Sequence, residues 1–415
     1  MTPTSRRIAL ITAFSAALAP VGAPAAAAVA APAALTATLL PSAQPTTWAV
    51  DVTELGVVVG TAGPPEGTNP ITNGTTPQRW VPVPTRGWVR QQLTLPAGAT
   101  GVGLAGVNEL GEAAGDVGVG EATSQPVRWS ISGTRTTPLG PPGASAAASG
   151  LNRWIVAAGD GTFGGSTLVA RDGTRTELTG TPELEGTTAV RGNSVGVDGT
   201  LLLTAVRGIG RASIGRPVIW KDGATVELPV FSSYFTGGAC TSRVQPDGAV
   251  AYSGFVWGEQ RYEIGIHRGG VPGTNTPLPV AAGRGTTLNC ATGDVMAIDG
   301  TVLGELEPPP GEGVPVGATQ AVIWRPDGTL VPIPVEADEI GTAAIAVASG
   351  GRALIQAYPR DAAPEYFVWK AGVRRQLTIP AGWSLDRFVE LTETGVVVAN
   401  LRNADGRVRP AVWRT

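Results

Sequence analysis

The sequence predicts an all-β protein, an eight-bladed β-propeller of four-stranded blades. Three observations predict this fold: a composition rich in turn residues, a unit repeated along the chain, and chain ends whose strand patterns complement each other. The chain has 415 residues, with 58 Gly, 35 Pro, 42% hydrophobic and only 15% charged residues. This composition excludes coiled coils, which contain far less Gly and Pro, and disordered chains, which contain more charge and fewer apolar residues.

Residues 1–30 are predicted to be a secretory signal peptide. Arg6-Arg7 forms a basic head, Ile8 to Ala19 is an apolar stretch of 12 residues, and Ala28-Val29-Ala30 fits a cleavage site. The apolar stretch is too short to span a bilayer, so no membrane span is expected in the mature chain. We therefore expect a secreted or envelope-associated protein, exported by either the general or the twin-arginine route.

The rest of the chain, residues 31–415, repeats one unit and is expected to form a single propeller domain. Each unit reads as an apolar strand, a tight turn, a second strand, a polar loop, a third strand that often ends in Trp, and a fourth strand. The first turn falls near Gly56, Gly111, Ile155, Gly199, Gly248, Gly300, Gly351 and Gly395, with spacings of 44 to 55 residues. Four-stranded units of about this length are typical of propeller blades.

The two chain ends are expected to close the ring. The last unit stops at Trp413 without a fourth strand, whereas a surplus strand, residues 35–40, precedes the first unit. We expect this N-terminal strand to complete the last blade, because that pairing hides an exposed sheet edge.

Turn chemistry supports the hairpins between third and fourth strands. The pairs Asp172-Gly173, Asp222-Gly223 and Asp327-Gly328 occupy this place in three units. Asp-Gly favours type I′ turns, in which both central residues have positive φ.

The recurring phrase Asn-x-x-Gly-x-x-x-Gly, followed by a strand ending in Trp and an x-Gly hairpin, resembles the HAF-type extracellular repeats of secreted bacterial proteins. The resemblance covers residues 35–415. In this sequence Pro-Val-Arg-Trp, Val-Ile-Trp and Phe-Val-Trp stand where those repeats usually carry Ala-Phe before the Trp. The resemblance implies a propeller and export, and it implies no particular activity.

Cys240 and Cys290 are the only cysteines and are predicted to form a disulfide. Each precedes the turn glycine of its unit, Gly248 or Gly300, by eight to ten residues, so both fall near the first strands of adjacent blades. Neighbouring inner strands approach closely enough for the Cα separation that a disulfide needs. An oxidising compartment would favour the bond.

Asp51, Glu390 and Arg243 are candidate catalytic residues. Each stands five residues before the first-turn glycine of its unit, so all three are expected in the central channel. Paired carboxylates about 5–10 Å apart hydrolyse glycosidic bonds, and Asp51 with Glu390 could form such a pair. The alternative interpretation is a set of solvated or ion-paired channel residues.

The tryptophans divide into two groups. Six of the eleven end third strands and are predicted to pack as wedges between blades. The other five break the period and are better candidates for stacking against a ligand: Trp48, Trp88, Trp154, Trp257 and Trp383.

The leading functional hypothesis is an exported, non-catalytic scaffold that binds an unknown extracellular ligand or protein. No metal or cofactor is expected, because one His and two Cys supply too few zinc ligands. No nucleic-acid partner is expected, because the net charge is −3 and no basic run occurs. The alternative is an extracellular polysaccharide-acting hydrolase or lyase that uses the channel carboxylates. A purely structural envelope protein is a third possibility.

Overall fold

The computed structural model describes these residues: 33–63, 75–119, 123–149, 153–157, 166–178, 189–209, 212–230, 232–233, 240–256, 261–269, 271–280, 284–289, 294–307 and 318–415. The predicted signal peptide lies outside them, and the chain from Ala33 to Thr415 forms one compact unit. The described residues form strands and turns without any helix, and hence none that could cross a membrane.

The strands pair into eight sheets, numbered here in chain order. The N-terminal segment contains β1 (Leu35–Thr36) and β2 (Thr38–Leu39). Sheet 1 contains β3 (Thr46–Val52), β4 (Val58–Gly63), β5 (Thr76–Val83) and β6 (Gly87–Gln92). Sheet 2 contains β7 (Ala99–Val107), β8 (Ala113–Val119), β9 (Thr123–Trp129) and β10 (Thr136–Pro138). Sheet 3 contains β11 (Ser145–Ser149), β12 (Arg153–Ala157), β13 (Ser166–Ala170) and β14 (Arg175–Glu177).

The later sheets follow the same order. Sheet 4 contains β15 (Ala189–Val195), β16 (Leu201–Ile209), β17 (Ala212–Lys221), β18 (Ala224–Glu227) and β19 (Ser232–Ser233). Sheet 5 contains β20 (Cys240–Thr241), β21 (Val250–Val256), β22 (Arg261–Arg268) and β23 (Thr274–Pro277). Sheet 6 contains β24 (Thr286–Thr287), β25 (Val302–Leu306), β26 (Gln320–Trp324) and β27 (Leu330–Pro332). Sheet 7 contains β28 (Glu339–Ala348), β29 (Arg352–Pro359), β30 (Glu365–Lys370) and β31 (Val373–Thr378), and sheet 8 contains β32 (Trp383–Leu391), β33 (Val396–Asn403) and β34 (Val408–Arg414).

The prediction of eight uniform four-stranded blades, closed by one strand at residues 35–40, is wrong. Seven sheets each contain four consecutive strands of the chain, and sheet 8 is a composite of β32–β34 with β2. The N-terminal segment divides between two sheets: β1 pairs in parallel with β31, and β2 pairs antiparallel with β34. Sheet 7 thus has β1 as a fifth strand. Sheet 4 also has five strands, because β19 pairs with β17. The division occurs because the outer edges of sheets 7 and 8 both offer unpaired backbone groups to the passing segment.

Apolar packing between neighbouring sheets holds the ring together. Among the described residues, one buried cluster lies between each pair of neighbouring sheets, including sheets 8 and 1. The Asn400 side chain also joins sheets 8 and 1: its Nδ2 donates to the Ala49 carbonyl at 2.9 Å, and its Oδ1 accepts from the Ala49 amide at 2.8 Å. The described chain is thus an all-β propeller.

The predicted tryptophan wedges are confirmed. All six that end third strands are buried and belong to these clusters: Trp80, Trp129, Trp220, Trp324, Trp369 and Trp413. In four of them, Nε1 donates to a carbonyl at the end of the outer strand of the preceding sheet or just beyond it. These bonds run from Trp80 to Pro41, Trp129 to Thr94, Trp324 to Pro279 and Trp413 to Thr378, at 2.7, 2.8, 2.7 and 3.1 Å.

The turn predictions hold in part. Asp222-Gly223 has positive φ at both residues, as type I′ requires. At Asp172-Gly173 and Asp327-Gly328 only the glycine has positive φ, so these loops are not type I′. The first turn expected near Ile155 is also wrong, because Ile155 pairs with Leu168 inside β12.

Candidate functional site

A cavity of about 290 Å³ lies in the channel, at the end where first strands turn into second strands. Seven sheets contribute to its lining; the corresponding turn of sheet 3 falls outside the described residues. Among the lining residues that the structure describes, six are acidic and one is basic: Asp51, Glu54, Glu109, Asp294, Glu390 and Glu393, with Arg243. The cavity is therefore strongly acidic.

Bulges in the first strands help to place these side chains. The strand register shifts at one repeat position, between Ala49 and Asp51 in sheet 1 and between Phe388 and Glu390 in sheet 8. Sheets 2, 4 and 7 show the same shift. A bulge adds one residue on one strand and redirects the side chains that follow it. In sheets 1, 4 and 8 the residue after the bulge, five before the turn glycine, lines the cavity: Asp51, Ser194 and Glu390.

Asp51, Glu390 and Arg243, the three candidates from the sequence, come together in the cavity. Arg243 Nη1 lies 3.0 Å from Glu390 Oε1, and its Nη2 lies 2.8 Å from Glu390 Oε2. Nη2 also lies 3.5 Å from Asp51 Oδ1. The Glu390 side chain is 7% exposed, whereas that of Arg243 is 51% exposed because it faces the cavity. One guanidinium thus bridges carboxylates from sheets 1 and 8.

Backbone amides hold the carboxylates around Arg243 in position. Asp51 Oδ2 accepts a hydrogen bond from the Val107 amide of sheet 2 at 2.8 Å. Asp294 Oδ1 accepts one from the amide of Arg243 itself at 3.3 Å. These bonds connect neighbouring sheets, so the packing of the ring fixes the geometry of the cluster.

Three further carboxylates, Glu54, Glu109 and Glu393, stand two residues before their turn glycines and are called here the mouth carboxylates. Glu109 Oε2 accepts the Glu54 amide at 2.9 Å, and Glu54 Oε2 accepts the Glu393 amide at 2.6 Å. Glu393 accepts the amides of Ile298 and Ser349. The chain of bonds links sheets 6, 7, 8, 1 and 2 around the cavity.

Burial changes the acidity of the lining residues. It raises the pKa of Glu54 to about 7, and the nearby charges of Glu109 and Glu393 contribute to the rise. Burial also raises the pKa of Glu109 and of Asp294. The pKa of Glu390 is raised by burial as well, although the Arg243 guanidinium opposes that rise. Taking these carboxylates out of water makes their ionised forms costly.

The arrangement leaves both carboxylates of the predicted catalytic pair engaged by one guanidinium. Arg243 contacts both oxygens of Glu390 and one of Asp51, so the guanidinium lies where a bond to be cleaved would have to enter. In the described part of the chain, no three or more His, Cys, Asp or Glu side chains are arranged so that they could hold a metal ion.

Of the tryptophan candidates, Trp48 and Trp383 do not line the cavity. Trp48 is 8% exposed, and the Arg402 guanidinium lies 5.4 Å from its ring centroid. Trp383 is half-buried against the cluster between sheets 7 and 8. Trp154 belongs to β12, and Trp257 lies outside the described residues. Their proposed role in stacking stays a prediction.

The disulfide also stays a prediction. Cys240 begins β20, at the start of sheet 5, whereas Cys290 lies outside the described residues.

The sequence interpretation missed the mouth carboxylates and Asp294. A signal was present for the first group: Glu54, Glu109 and Glu393 occupy one repeat position in three units. Asp294 gave no such signal, because it stands six residues before Gly300, one position from the acidic and basic candidates.

No protein-family model and no curated protein matches the chain. Solved structures do match it. The β-propeller domain of the Trilobed protease from Pyrococcus furiosus is 13% identical, with a TM-score of 0.43 over 80% of this chain and 98% of that chain. The Dos1 propeller is 10% identical, with a TM-score of 0.45 over 92% and 95%.

A post-proline cleaving enzyme from Rickettsia typhi is 9% identical, with a TM-score of 0.47. That match covers 86% of this chain and 58% of the enzyme, so the chain spans little more than half of its length. The first two of these structures are β-propellers, the fold that the sheets of this chain form.

Proposed function

We propose that the chain is an exported, non-catalytic propeller that binds a ligand or a protein at or outside the cell surface, through the cavity in its channel. The observation that carries the proposal is the bridge of Arg243 between Glu390 and Asp51 in a cavity of about 290 Å³. Preformed concave sites with a few fixed polar groups are the usual form of binding sites. The signal-like sequence of residues 1–30 supports export.

The same bridge argues against the polysaccharide-acting alternative. A general acid must present a proton to the leaving group, and a nucleophile or base must face the substrate. In this cavity both oxygens of Glu390 face guanidinium nitrogens within 3.0 Å. A substrate would have to displace Arg243 before either carboxylate could act.

The test combines binding and turnover assays on the mature chain. Glycan and peptide arrays measure binding, and reducing-end and unsaturated-product assays on a polysaccharide panel measure hydrolysis and lyase activity. The variants are Asp51→Asn and Glu390→Gln, with Glu177→Gln on the exposed strand β14 as a charge-matched control. We expect binding that weakens in the two cavity variants and stays unchanged in the control, without turnover. Turnover that either cavity variant abolishes would establish the hydrolase or lyase instead.

A further inference from the structure

Exposed apolar side chains surround the mouth of the cavity. Eight large apolar side chains are exposed in the described part of the chain, and four of them lie on the turns between first and second strands. They are Leu55, Ile298, Val197 and Leu110, which are 74%, 49%, 44% and 36% exposed. Val197 and Ile298 line the cavity directly. An apolar rim around a concave site marks an interaction surface.

The mouth carboxylates form no ion pair in the described part of the chain. In the described structure, the ion pairs of cavity carboxylates all involve Arg243, with Asp51 and Glu390. The mouth carboxylates instead accept hydrogen bonds from backbone amides. Glu54 and Glu109 directly precede the exposed Leu55 and Leu110 in the chain. Carboxyl groups and exposed apolar side chains are therefore neighbours on these turns.

The raised pKa values of Glu54 and Glu109 also favour the entry of a cation into the cavity. Burial is the largest cause of both rises; no cation opposes it at Glu54, and at Glu109 the charge of Arg243, which opposes it, is the smallest of the causes. A cation that entered the cavity would favour the ionised carboxylates and lower both pKa values.

We propose that this mouth binds a basic, apolar polypeptide segment, whose Lys or Arg side chain enters the cavity toward Glu54 and Glu109 while its neighbouring apolar side chains pack on Leu55 and Ile298. The proposal rests on the proposed binding function and names the partner class. A long cationic side chain matches both the size and the charge of the cavity. A small free amine would leave the apolar rim uncovered.

The test uses fluorescein-labelled peptides with the core Leu-Lys-Leu, compared with Leu-Glu-Leu and Ser-Lys-Ser. We expect only the Leu-Lys-Leu peptide to bind well, by fluorescence anisotropy. Glu54→Gln and Leu55→Ser should each weaken binding by about tenfold. Two matched controls, Glu177→Gln and Ile131→Ser, change an exposed acid and a 48% exposed apolar residue away from the mouth and should leave affinity within about twofold.

Thermal melts show that each variant is folded, so that weaker binding reports on the surface. Equal binding of the Leu-Glu-Leu peptide, equal loss in the controls, or no binding of Leu-Lys-Leu would overturn the inference. If an array ligand still bound in a manner sensitive to Asp51→Asn, the proposed function would survive that failure. Turnover without binding would instead remove the proposed function.

Discussion

At the scale of single residues, folding raises the pKa of the Glu54 carboxyl group into a range that is convenient for experiments. Burial raises its pKa to about 7 in the folded state, against about 4.3 in an unfolded chain. The folded state therefore binds the proton more tightly. Its contribution to stability is fully present below about pH 4.3 and is lost as the pH rises through about 7.

We therefore expect the melting temperature of the protein to fall between about pH 5 and pH 8, and Glu54→Gln to reduce that fall and to raise the melting temperature at the higher pH. The amide can still accept the Glu393 amide hydrogen, so the variant isolates the charge. Differential scanning fluorimetry across this range measures the effect, with Glu177→Gln as the control. Identical slopes for wild type and Glu54→Gln would contradict the prediction.

At this scale the sequence predicted part of the site. Repeat position alone grouped Asp51, Arg243 and Glu390, and the structure brings them together. Their ion pairing was an open alternative, because which side chains meet across a channel depends on the packing of distant sheets. The raised pKa of Glu54 was beyond sequence reasoning for the same reason: burial arises from residues hundreds of positions away, such as Glu393.

At the scale of elements, the third strand and its terminal tryptophan join neighbouring sheets in six of the eight sheets. The sequence predicted this role, because a large apolar residue recurred at one strand end. It could not predict the hydrogen bond from Nε1, since the accepting carbonyl belongs to the preceding sheet. The Asp-Gly hairpins show a similar limit: composition identifies a turn, whereas the loop length fixed by strand pairing selects its type.

Two tryptophans allow the value of that bond to be measured. Trp129 Nε1 donates to the Thr94 carbonyl, whereas Trp369 Nε1 has no hydrogen-bond partner in the described structure. Both side chains are buried. We expect Trp129→Phe to cost about 1 kcal/mol more in the free energy of unfolding than Trp369→Phe, the usual net value of a hydrogen bond. Urea titrations of both variants measure the difference, and equal costs would show that the bond adds nothing.

For the whole molecule, closure depends on the composite sheet 8. The sequence predicted that the N-terminal segment would meet the last unit, and β2 does pair with β34. It did not predict the division of the segment, because strands of two residues carry no periodic pattern. Which edge each short strand joins depends on contacts with residues more than 300 positions away, as in the pairing of Leu35 with Leu377.

The contribution of ring closure to the free energy of unfolding can be measured at Leu40. It is fully buried in the cluster between sheets 8 and 1, and its amide donates to the Pro410 carbonyl at 2.8 Å. Leu40→Ala should lower the free energy of unfolding by about 2–5 kcal/mol through the cavity it leaves. The neighbouring Leu39 is only half-buried, so Leu39→Ala is the matched control and should cost less. Equal losses in urea unfolding would show that the segment closes the ring without specific packing.

The first strands carry side chains that line the cavity as well as side chains that pack in the buried clusters between sheets. Across the seven units with a turn glycine, the place five residues before it holds these different side chains: Asp51, Gly106, Ser194, Arg243, Val295, Ala346 and Glu390. The backbone accommodates acidic, basic, small and aliphatic side chains at this one repeat position. Four of these residues, Asp51, Ser194, Arg243 and Glu390, line the cavity. Val295 and Ala346 belong instead to buried clusters between sheets. The polarity of the cavity can therefore be changed at the four lining positions without substituting a member of those clusters.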